Sequence, residues 1–435
     1  MNREKVRVAF FLFDRSTVLM ITSASSFDEL QTEIAGHRIA ELVRRFGTPL
    51  CVYDFALMLD RIASLSVFDV VRYSASVSST TDMLKRLLST GVSLSVSNAI
   101  EIRRGLAAGF SAQLNRKVTN GQSMIYAGNL LDRESLDLVV ELGLHANCGS
   151  PDMIDQIGQR RPGADVTLGI NPFFGHANGK SDRFMSQDAM TGIGLEQIEE
   201  CLFKADQYGI TVTGVELQLK NGIEVQELEH ACEVLMAAVS TVGRTITTIG
   251  IAGGLPFSNA SKKSLQLASE FQESLNATRL RIHDSVGHTI KFELTVGDAL
   301  YSGTRSLIAE VRAVKKFGDL RCYVVDGEVD DFLPLAGSIT EGLIAVCPRD
   351  GAMHERPFVD TFLCGPLNPT YRDSCVSEVK HRRLPIAVVG DFVMVQDPIA
   401  ETASKSSDSR MGRRTEIILK NGEADILRKR DTYDD

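Results

Sequence analysis

Between about residues 35 and 265 the sequence alternates between two kinds of segment, and this alternation limits the possible folds. Short runs rich in Val, Ile and Leu, such as "VTLGINP" and "VTGVELQL", precede stretches with apolar residues at three- and four-residue spacing, such as "RESLDLVVELGL". Repeated β and α units of this length predict parallel strands joined by right-handed helical crossovers. We therefore expect a (β/α)8 TIM-like barrel, with an open doubly wound sheet as the alternative.

The pattern of alternating strand-like and helix-like segments ends at about residue 280. Pieces such as "RCYVVDG" and "LPIAVVGDFVMVQ" are typical of strands, and few helical patterns separate them. The tail "TEIILKNGEADILRKRDTYDD" predicts a hairpin that turns at Asn421-Gly422. We predict that residues 36–280 form the barrel, that residues 281–435 form a β-sandwich or β-barrel domain, and that residues 1–35 supply N-terminal strands to this second domain.

Composition and charge exclude several classes of partner. The net charge of −9 argues against nucleic acid and anionic membrane surfaces. The apolar N-terminal segment is interrupted by Asp14 and Arg15, which favours buried strands over a membrane span. The eight cysteines are scattered singly, without zinc-site spacing, which is typical of reduced thiols. We expect a cytoplasmic protein with no metal site.

Several short motifs occur along the chain in a fixed order. They are "RRFGTPLCVYD" (44–54), "GVSLSVSNAIEIRRGLAAGF" (91–110), "GINP", "IAGGL", "VDGEVDDFLPL", "LCGP" and "ILRKRDTYDD". Together they resemble the alanine-racemase-type (fold type III) pyridoxal-phosphate (PLP) amino-acid decarboxylases, the class II Orn/Lys/Arg decarboxylases, in their diaminopimelate decarboxylase branch. The resemblance covers nearly the whole chain and implies PLP as cofactor and a two-fold dimer.

The first barrel strand departs from this family at one position. The family strand ends in Tyr-Ala-Val-Lys-Ala-Asn, and its lysine holds PLP covalently. The similar stretch here is Tyr-Ser-Ala-Ser-Val-Ser (73–78), which puts Ser76 at the lysine position. A hydroxyl cannot form a Schiff base, so we do not expect Ser76 to be functional or PLP to be attached covalently.

Other residues that the family uses for PLP are also altered. The His-x-His-x-Gly strand is similar to Glu-Leu-Gln-Leu-Lys (216–220), which puts Gln218 at the ring-stacking position. The Gly-Gly-Gly phosphate loop keeps Gly253 and Gly254 after an alanine. The Glu-Pro-Gly-Arg motif is similar to residues 309–312, where Glu310 would face the pyridine nitrogen and Arg312 would bind an anion or form an interdomain ion pair.

Two residues offer alternatives to the missing lysine. Lys220 lies two residues beyond Gln218, so a continuing strand would direct both to the same side; it is either a relocated PLP lysine or a solvated strand-end residue. Cys364 stands in the motif that the family places at its dimer interface, as a packed or a reactive thiol.

Two hypotheses about function follow from these departures. In the first, the protein is a diaminopimelate-decarboxylase-like pseudoenzyme that binds a small amino-acid-like ligand, as a homodimer or as a heterodimer with a related decarboxylase. In the second, it is a carboxy-lyase-family enzyme with altered chemistry in specialised metabolism, such as the biosynthesis of an amino-acid-derived toxin or antibiotic, with Lys220 as the reactive group. The fold alone does not separate the two, because function belongs to the site.

Overall fold

The computed structural model describes most of the chain in ten segments. They are residues 30–112, 123–172, 191–219, 225–253, 269–301, 303–327, 343–352, 355–365, 382–396 and 414–431. The described residues form a closed barrel and a second sheet, and an N-terminal unit leads into them.

The N-terminal unit contains a short hairpin, a helix, a strand and a second helix. These elements are β1 (Glu33–Ile34), β2 (His37–Arg38), α1 (Ile39–Phe46), β3 (Leu50–Asp54) and α2 (Phe55–Ser64). An isolated bridge pairs Leu30 with Val346 of the second sheet. The predicted strands within residues 1–29 lie outside the described residues.

Eight parallel strands close the barrel, as predicted, in the order β10-β11-β4-β5-β6-β7-β8-β9. They are β4 (Val70–Ser74), β5 (Ser93–Val96), β6 (Met124–Tyr126), β7 (His145–Cys148), β8 (Asp165–Ile170), β9 (Thr211–Leu219), β10 (Thr248–Gly253) and β11 (Lys291–Val296). Each strand is followed by a helix: α3 (Thr81–Leu88), α4 (Ala99–Ala108), α5 (Arg133–Leu142), α6 (Pro151–Arg160), α7 (Ile198–Gln207), α8 (Val225–Val242), α9 (Ser269–Val286) and α10 (Asp298–Tyr301). The alternation in the sequence therefore corresponds to a (β/α)8 barrel.

The second sheet contains β3 and the strands of the C-terminal third. These are β12 (Arg305–Phe317), β13 (Leu320–Val325), β14 (Leu343–Cys347), β15 (Phe358–Cys364), β16 (Arg382–Pro385), β17 (Phe392–Gln396), β18 (Thr415–Lys420) and β19 (Glu423–Arg428). The main path runs β16-β15-β13-β12-β3-β18-β19, and β17 pairs with β12 and β14 beside it. The predicted hairpin turn is confirmed, since Asn421 and Gly422 both have positive φ between β18 and β19.

The domain boundaries differ from the predicted ones at two places. β3 belongs to the second sheet, where it lies between β12 and β18, although it falls within the predicted barrel range. β11 belongs to the barrel, although it lies beyond residue 280. β3 is a buried and mostly apolar run, whereas β11 contains Lys291 and Glu293. Neither pattern reveals which sheet the strand joins, because strand pairing is a long-range property.

The loops at the carboxyl end of the barrel are fixed by local helix-end chemistry. The side chains of Asn98, Asp132 and Ser150 each accept the N–H of the residue three positions later, which caps α4, α5 and α6. Gly109 and Gly143 end α4 and α5 with positive φ. The N-terminal caps set where these strand-to-helix loops end at the barrel mouth, and the two glycines begin the helix-to-strand turns at the opposite end.

A cluster of tyrosines joins the barrel to the second sheet. Tyr73 on β4 points outward from the barrel, and its hydroxyl lies 3.2 Å from that of Tyr301. The Tyr301 ring in turn packs edge-on against Tyr53 of β3, with ring centroids 5.7 Å apart. One continuous hydrophobic core therefore extends from the outer side of the barrel wall into the second sheet.

Candidate ligand site in the barrel

The interior of the barrel contains polar and charged side chains. Hydrogen bonds link Asn147 on β7 to Glu216 on β9, and Thr295 on β11 to the same Glu216. These strands are not neighbours, so the side chains meet across the barrel interior. The inward positions of a TIM barrel are usually filled by bulky branched residues, so a polar interior marks a candidate site.

Glu216 lies at the centre of this network and is 4 % exposed. Its Oε1 accepts hydrogen bonds from the amide nitrogens of Asn147 and Gln218, the latter at 2.8 Å, and its Oε2 accepts one from the Thr295 hydroxyl at 3.1 Å. Burial, and next the negative charge of Glu293, raise the pKa of Glu216 to about 7. Glu216 can therefore hold or release a proton near neutral pH.

A buried ion pair lies beside Glu216. Arg72 on β4 donates from Nε and Nη2 to both carboxylate oxygens of Glu293 on β11, at 3.0 and 3.1 Å. The two side chains are 3 % and 15 % exposed. This bidentate geometry commits most of the Arg72 guanidinium to Glu293, so that Glu216 depends on neutral donors.

Three glycines on the inner wall make room for these side chains. A Cβ on Gly169 would lie 2.9 Å from Asn147 Oδ1, and one on Gly250 would lie 3.0 Å from Glu216 Cγ. A Cβ on Gly214 would overlap Thr167 Oγ1 and lie 2.6 Å from Thr248 Oγ1. The polar side chains of the interior therefore fit only because these positions are glycines.

Ser76 occupies a different place from the one expected for the end of a strand. β4 ends at Ser74, and Ser76 is an exposed residue of the turn that follows. The two serine hydroxyls lie 2.8 Å apart, at the carboxyl end of the barrel. Ser76 therefore lies at the carboxyl end of the barrel, as predicted. It does not belong to β4, however, but to the turn that follows β4.

The other residues expected on this side are partly described. Gln218 points into the barrel, where it donates to Glu216. Gly253 ends β10 with positive φ, and a Cβ there would overlap the carbonyl oxygen of Leu219, so the turn itself requires glycine. Lys220 and Gly254 lie outside the described residues.

Glu310 and Arg312 lie in the second sheet, within the range predicted for the β domain, and their role at the cofactor stays a prediction. Both lie on β12 of the second sheet, and Arg312 Nη1 is 3.2 Å from Glu310 Oε2. Glu310 lines a cavity of about 240 Å³ with Arg44 and Arg349. The segment that directly follows the last barrel strand is Gly297–Asp298.

Cys364 lies at the end of β15 in the second sheet. Its Sγ is 3.1 Å from Sγ of Cys322 on the neighbouring strand β13. Burial and the contact with Cys364 raise the pKa of Cys322 to about 12, so Cys322 is a protonated thiol near neutral pH. Among the described residues, no hydrogen bond links Cys364 to the polar network of the barrel.

Reasoning from the sequence missed most of the polar network. Arg72, Asn147, Glu216, Glu293 and Thr295 all lie within strand-like runs. The available signal was a charged or amide residue at alternate positions of runs that are otherwise apolar, as in "VRYS", "VELQL" and "FELTV". In a barrel this pattern predicts side chains that share the interior.

Comparison with known proteins identifies the family. A model described as pyridoxal-dependent decarboxylase, pyridoxal binding domain, matches residues 60–295, which include all eight barrel strands except the last residue of β11. The chain belongs to this family. PLP is accordingly the family's cofactor, as the resemblance implied.

Relatives of full length place the chain near one branch of the family. The diaminopimelate decarboxylase of Streptomyces coelicolor is 31% identical over 414 residues, with 94% of this chain and 93% of the relative covered. That of Escherichia coli K12 is 28% identical over 409 residues, covering 93% and 96%. The predicted similarity to the diaminopimelate decarboxylase branch is confirmed.

Solved structures agree with this placement. A crystal structure of diaminopimelate decarboxylase matches with a TM-score of 0.80 at 27% identity, over 94% of this chain and 96% of the other. The diaminopimelate decarboxylase from M. jannaschii in co-complex with L-lysine matches with a TM-score of 0.76 at 18% identity, over 92% of this chain and 94% of that one, which shows the shared fold.

The eight barrel strands place no lysine at the mouth of the barrel. Among the eight barrel strands the one lysine is Lys291, an exposed residue that begins β11 at the end of the barrel opposite to the mouth. The turn after β4 offers the hydroxyls of Ser74 and Ser76, which have no amine to attach an aldehyde. The inner wall at the mouth carries the amide of Gln218 above a carboxyl group.

The part of the chain that the structure describes lacks a membrane-spanning helix and a metal-ligand cluster. No helix in this part is long and apolar enough to cross a membrane. No three His, Cys, Asp or Glu side chains in this part come together as metal ligands.

Proposed function

We propose that this protein is a pseudoenzyme of the diaminopimelate decarboxylase branch, which binds a small amino-acid-like ligand in the barrel mouth and does not decarboxylate diaminopimelate. The observation that carries the proposal is the turn after β4, where Ser76 follows the strand and its hydroxyl lies 2.8 Å from that of Ser74. The motif correspondence gives Ser76 the position of the family's lysine. A cytoplasmic location is part of the same proposal.

The inner wall supports a retained pocket with changed chemistry. Gln218 and Glu216 are hydrogen-bonded polar side chains where the family's motif has histidines. Amide and hydroxyl groups orient a polar ligand through hydrogen bonds, but they do not form the covalent bond on which the family's chemistry depends.

Trapping by reduction tests the proposal directly. Purified protein is mixed with PLP and borohydride, and mass spectrometry is used to search for a pyridoxyl-lysine. We expect none, and we expect no release of carbon dioxide from diaminopimelate. An adduct on Lys220 together with turnover of about one per second would overturn the proposal and favour an active enzyme of specialised metabolism, such as toxin or antibiotic biosynthesis.

The variant Ser76→Lys separates the missing lysine from the other changes. We expect this variant to form a reducible PLP adduct without decarboxylating diaminopimelate, because Gln218 and Glu216 still line the mouth. Ser79→Lys, in the loop that follows, is the control for nonspecific modification. Full decarboxylase activity in Ser76→Lys would show that the lysine alone separates this protein from its active relatives.

We also propose that the protein assembles as a dimer, with itself or with a related decarboxylase, and that Cys364 lies near the interface. The support is the family's two-fold arrangement and the partial exposure of Cys364 at the end of β15. Light scattering of the purified chain, alone and mixed with a diaminopimelate decarboxylase, measures the assembly. A monomer at micromolar concentration in both samples would contradict this proposal.

A further inference from the structure

Two thiols of the second sheet are in direct contact. Cys322 on β13 donates to Cys364 on β15, and their sulfur atoms are 3.1 Å apart. β13 and β15 are parallel neighbours, with Cys322 beside Phe362 and Val324 beside Cys364. Because alternate residues of a strand point to the same face, both thiols lie on one face of the sheet as diagonal neighbours. The strand pairing therefore brings together two cysteines that are 42 positions apart in the chain.

The two thiols differ in their exposure. Cys322 is 2 % exposed, whereas Cys364 is half-buried. Cys364 is the one cysteine among the described residues that is not fully buried. Thiols that respond to oxidants are accessible ones with a second thiol next to them, and Cys364 meets both conditions. A small oxidant from solvent therefore reaches Cys364 first and finds Cys322 directly behind it.

The end of β15 has the freedom to let the two sulfur atoms join. Cys364 is the last residue of β15. β16 pairs with β15 over residues 358–361, so among the described strands the Cys364 end of β15 pairs with β13 alone. Reacting atoms roughly 3–3.5 Å apart are already at the distance from which attack begins. A disulfide has its sulfur atoms about 2.0 Å apart, so the strand end has to move by only about 1 Å.

We propose that Cys322 and Cys364 form a reversible oxidation site, which closes to a disulfide when a peroxide reaches Cys364 and opens again with a thiol reductant. The bond would tie the end of β15 to β13. This inference goes beyond the proposed ligand role of the barrel and does not depend on it, because the two cysteines lie in the second sheet.

Two displacements make the bond. The Cys364 sulfur attacks one oxygen of hydrogen peroxide, the O–O bond breaks, and the displaced hydroxide leaves as water with the thiol proton, which gives a sulfenic acid. The Cys322 sulfur then attacks the Cys364 sulfur, the S–O bond breaks, and a second water leaves with the Cys322 proton. Two thiols lose two electrons and the peroxide gains them. Burial and the contact with Cys364 raise the pKa of Cys322 to about 12, so this second proton is present near neutral pH.

The first test uses the unmodified full chain. Hydrogen peroxide is added, free thiols are blocked with iodoacetamide, and tryptic peptides are analysed by mass spectrometry. We expect Cys322 and Cys364 to be linked with the loss of two hydrogen atoms, and dithiothreitol to restore both thiols. Cys347→Ser is the matched control, because Cys347 is a buried cysteine on the same tryptic peptide as Cys322, and it should keep the link.

The second test separates the two displacements. In Cys322→Ala the sulfenic acid of Cys364 has no thiol to react with, so dimedone should label Cys364 in this variant and leave it almost unlabelled in the native chain. Cys347→Ser should behave as the native chain does. Circular dichroism verifies that each variant is folded, and the peptide mapping of the native chain requires no variant.

Each contrary outcome identifies a different fate for Cys364. Free thiols at both residues after peroxide treatment would overturn the inference, as would a sulfinic acid on Cys364 without a link to Cys322. A link from Cys364 to Cys375, or a covalent dimer on a non-reducing gel, would assign Cys364 another partner and also overturn it. Equal dimedone labelling of the native chain and Cys322→Ala would show that Cys322 does not complete the bond.

Discussion

At the scale of single residues, the barrel interior contains buried charged side chains, and glycines on the inner wall leave the space that these side chains occupy. Glu216 is held by Asn147, Gln218 and Thr295, and the Arg72–Glu293 pair lies beside it. Charged groups in such a place are tolerated because each is hydrogen-bonded. The same burial makes the protonation of Glu216 part of the stability of the fold.

Stability should fall with rising pH because of Glu216. Its pKa is raised from 4.5 to about 7, so the folded state binds the proton more tightly than the unfolded chain does. The contribution is fully present below pH 4.5 and is lost as the pH rises to 7, by about 3 kcal/mol in all. Urea unfolding at several pH values gives the free energy of unfolding of the native protein and of Glu216→Gln. The difference between the two should show this slope. A difference that is constant with pH would contradict the prediction.

Gly214→Ala should destabilise the barrel. The new Cβ would overlap Thr167 Oγ1 and lie 2.6 Å from Thr248 Oγ1, and threonine side chains are restricted in their rotamers. We expect a loss of about 1–3 kcal/mol in the free energy of unfolding. Gly149→Ala is the matched control, since the nearest atom to its Cβ would be 3.5 Å away. Equal stability of the two variants would mean that the inner wall adjusts without cost.

At the scale of elements, the sequence shows where strands and helices lie better than it shows their partners. The (β/α) alternation, the closing hairpin and the position of Gln218 on a barrel strand follow from local patterns. β3 and β11 were assigned to the wrong sheets because strand pairing depends on residues far away in the chain. Glu310 and Arg312 lie on β12 of the second sheet, inside the range predicted for the β domain.

The start of α4 depends on a side-chain cap that can be measured. Asn98 Oδ1 accepts the Glu101 N–H at 3.0 Å, and the Glu101 carboxylate accepts the Ser97 N–H at 2.8 Å. Asn98→Ala should cost about 1 kcal/mol in the free energy of unfolding. Thr80→Ala is the control, because Thr80 precedes α3 without a side-chain cap. A loss in Thr80→Ala as large as that in Asn98→Ala would contradict the role of the cap.

At the scale of the whole molecule, the barrel and the second sheet share one hydrophobic core. Tyr73 of the barrel, Tyr301 of α10 and Tyr53 of β3 pack in sequence across the junction. Aromatic groups of this size contribute a large part of the apolar area that is buried. The two parts of the chain are therefore expected to be stable together.

Calorimetry should show one unfolding transition for this chain. The shared core couples the barrel to the second sheet, so neither is expected to melt alone. Tyr301→Ala, which removes the central ring of the junction, should lower the melting temperature of the whole protein. Two separate transitions in the native chain would show that the barrel and the second sheet are independent.

The position of β3 has a consequence for the order of events during synthesis. Its two neighbours in the second sheet are β12 and β18, and Arg430 donates to the carbonyl of Pro49, 381 residues away in the chain. A nascent chain emerges from the ribosome with its N-terminal end first, at about 5–20 residues per second. Pairing of β3 with β18 is therefore delayed by roughly tens of seconds, until β18 has also left the ribosome.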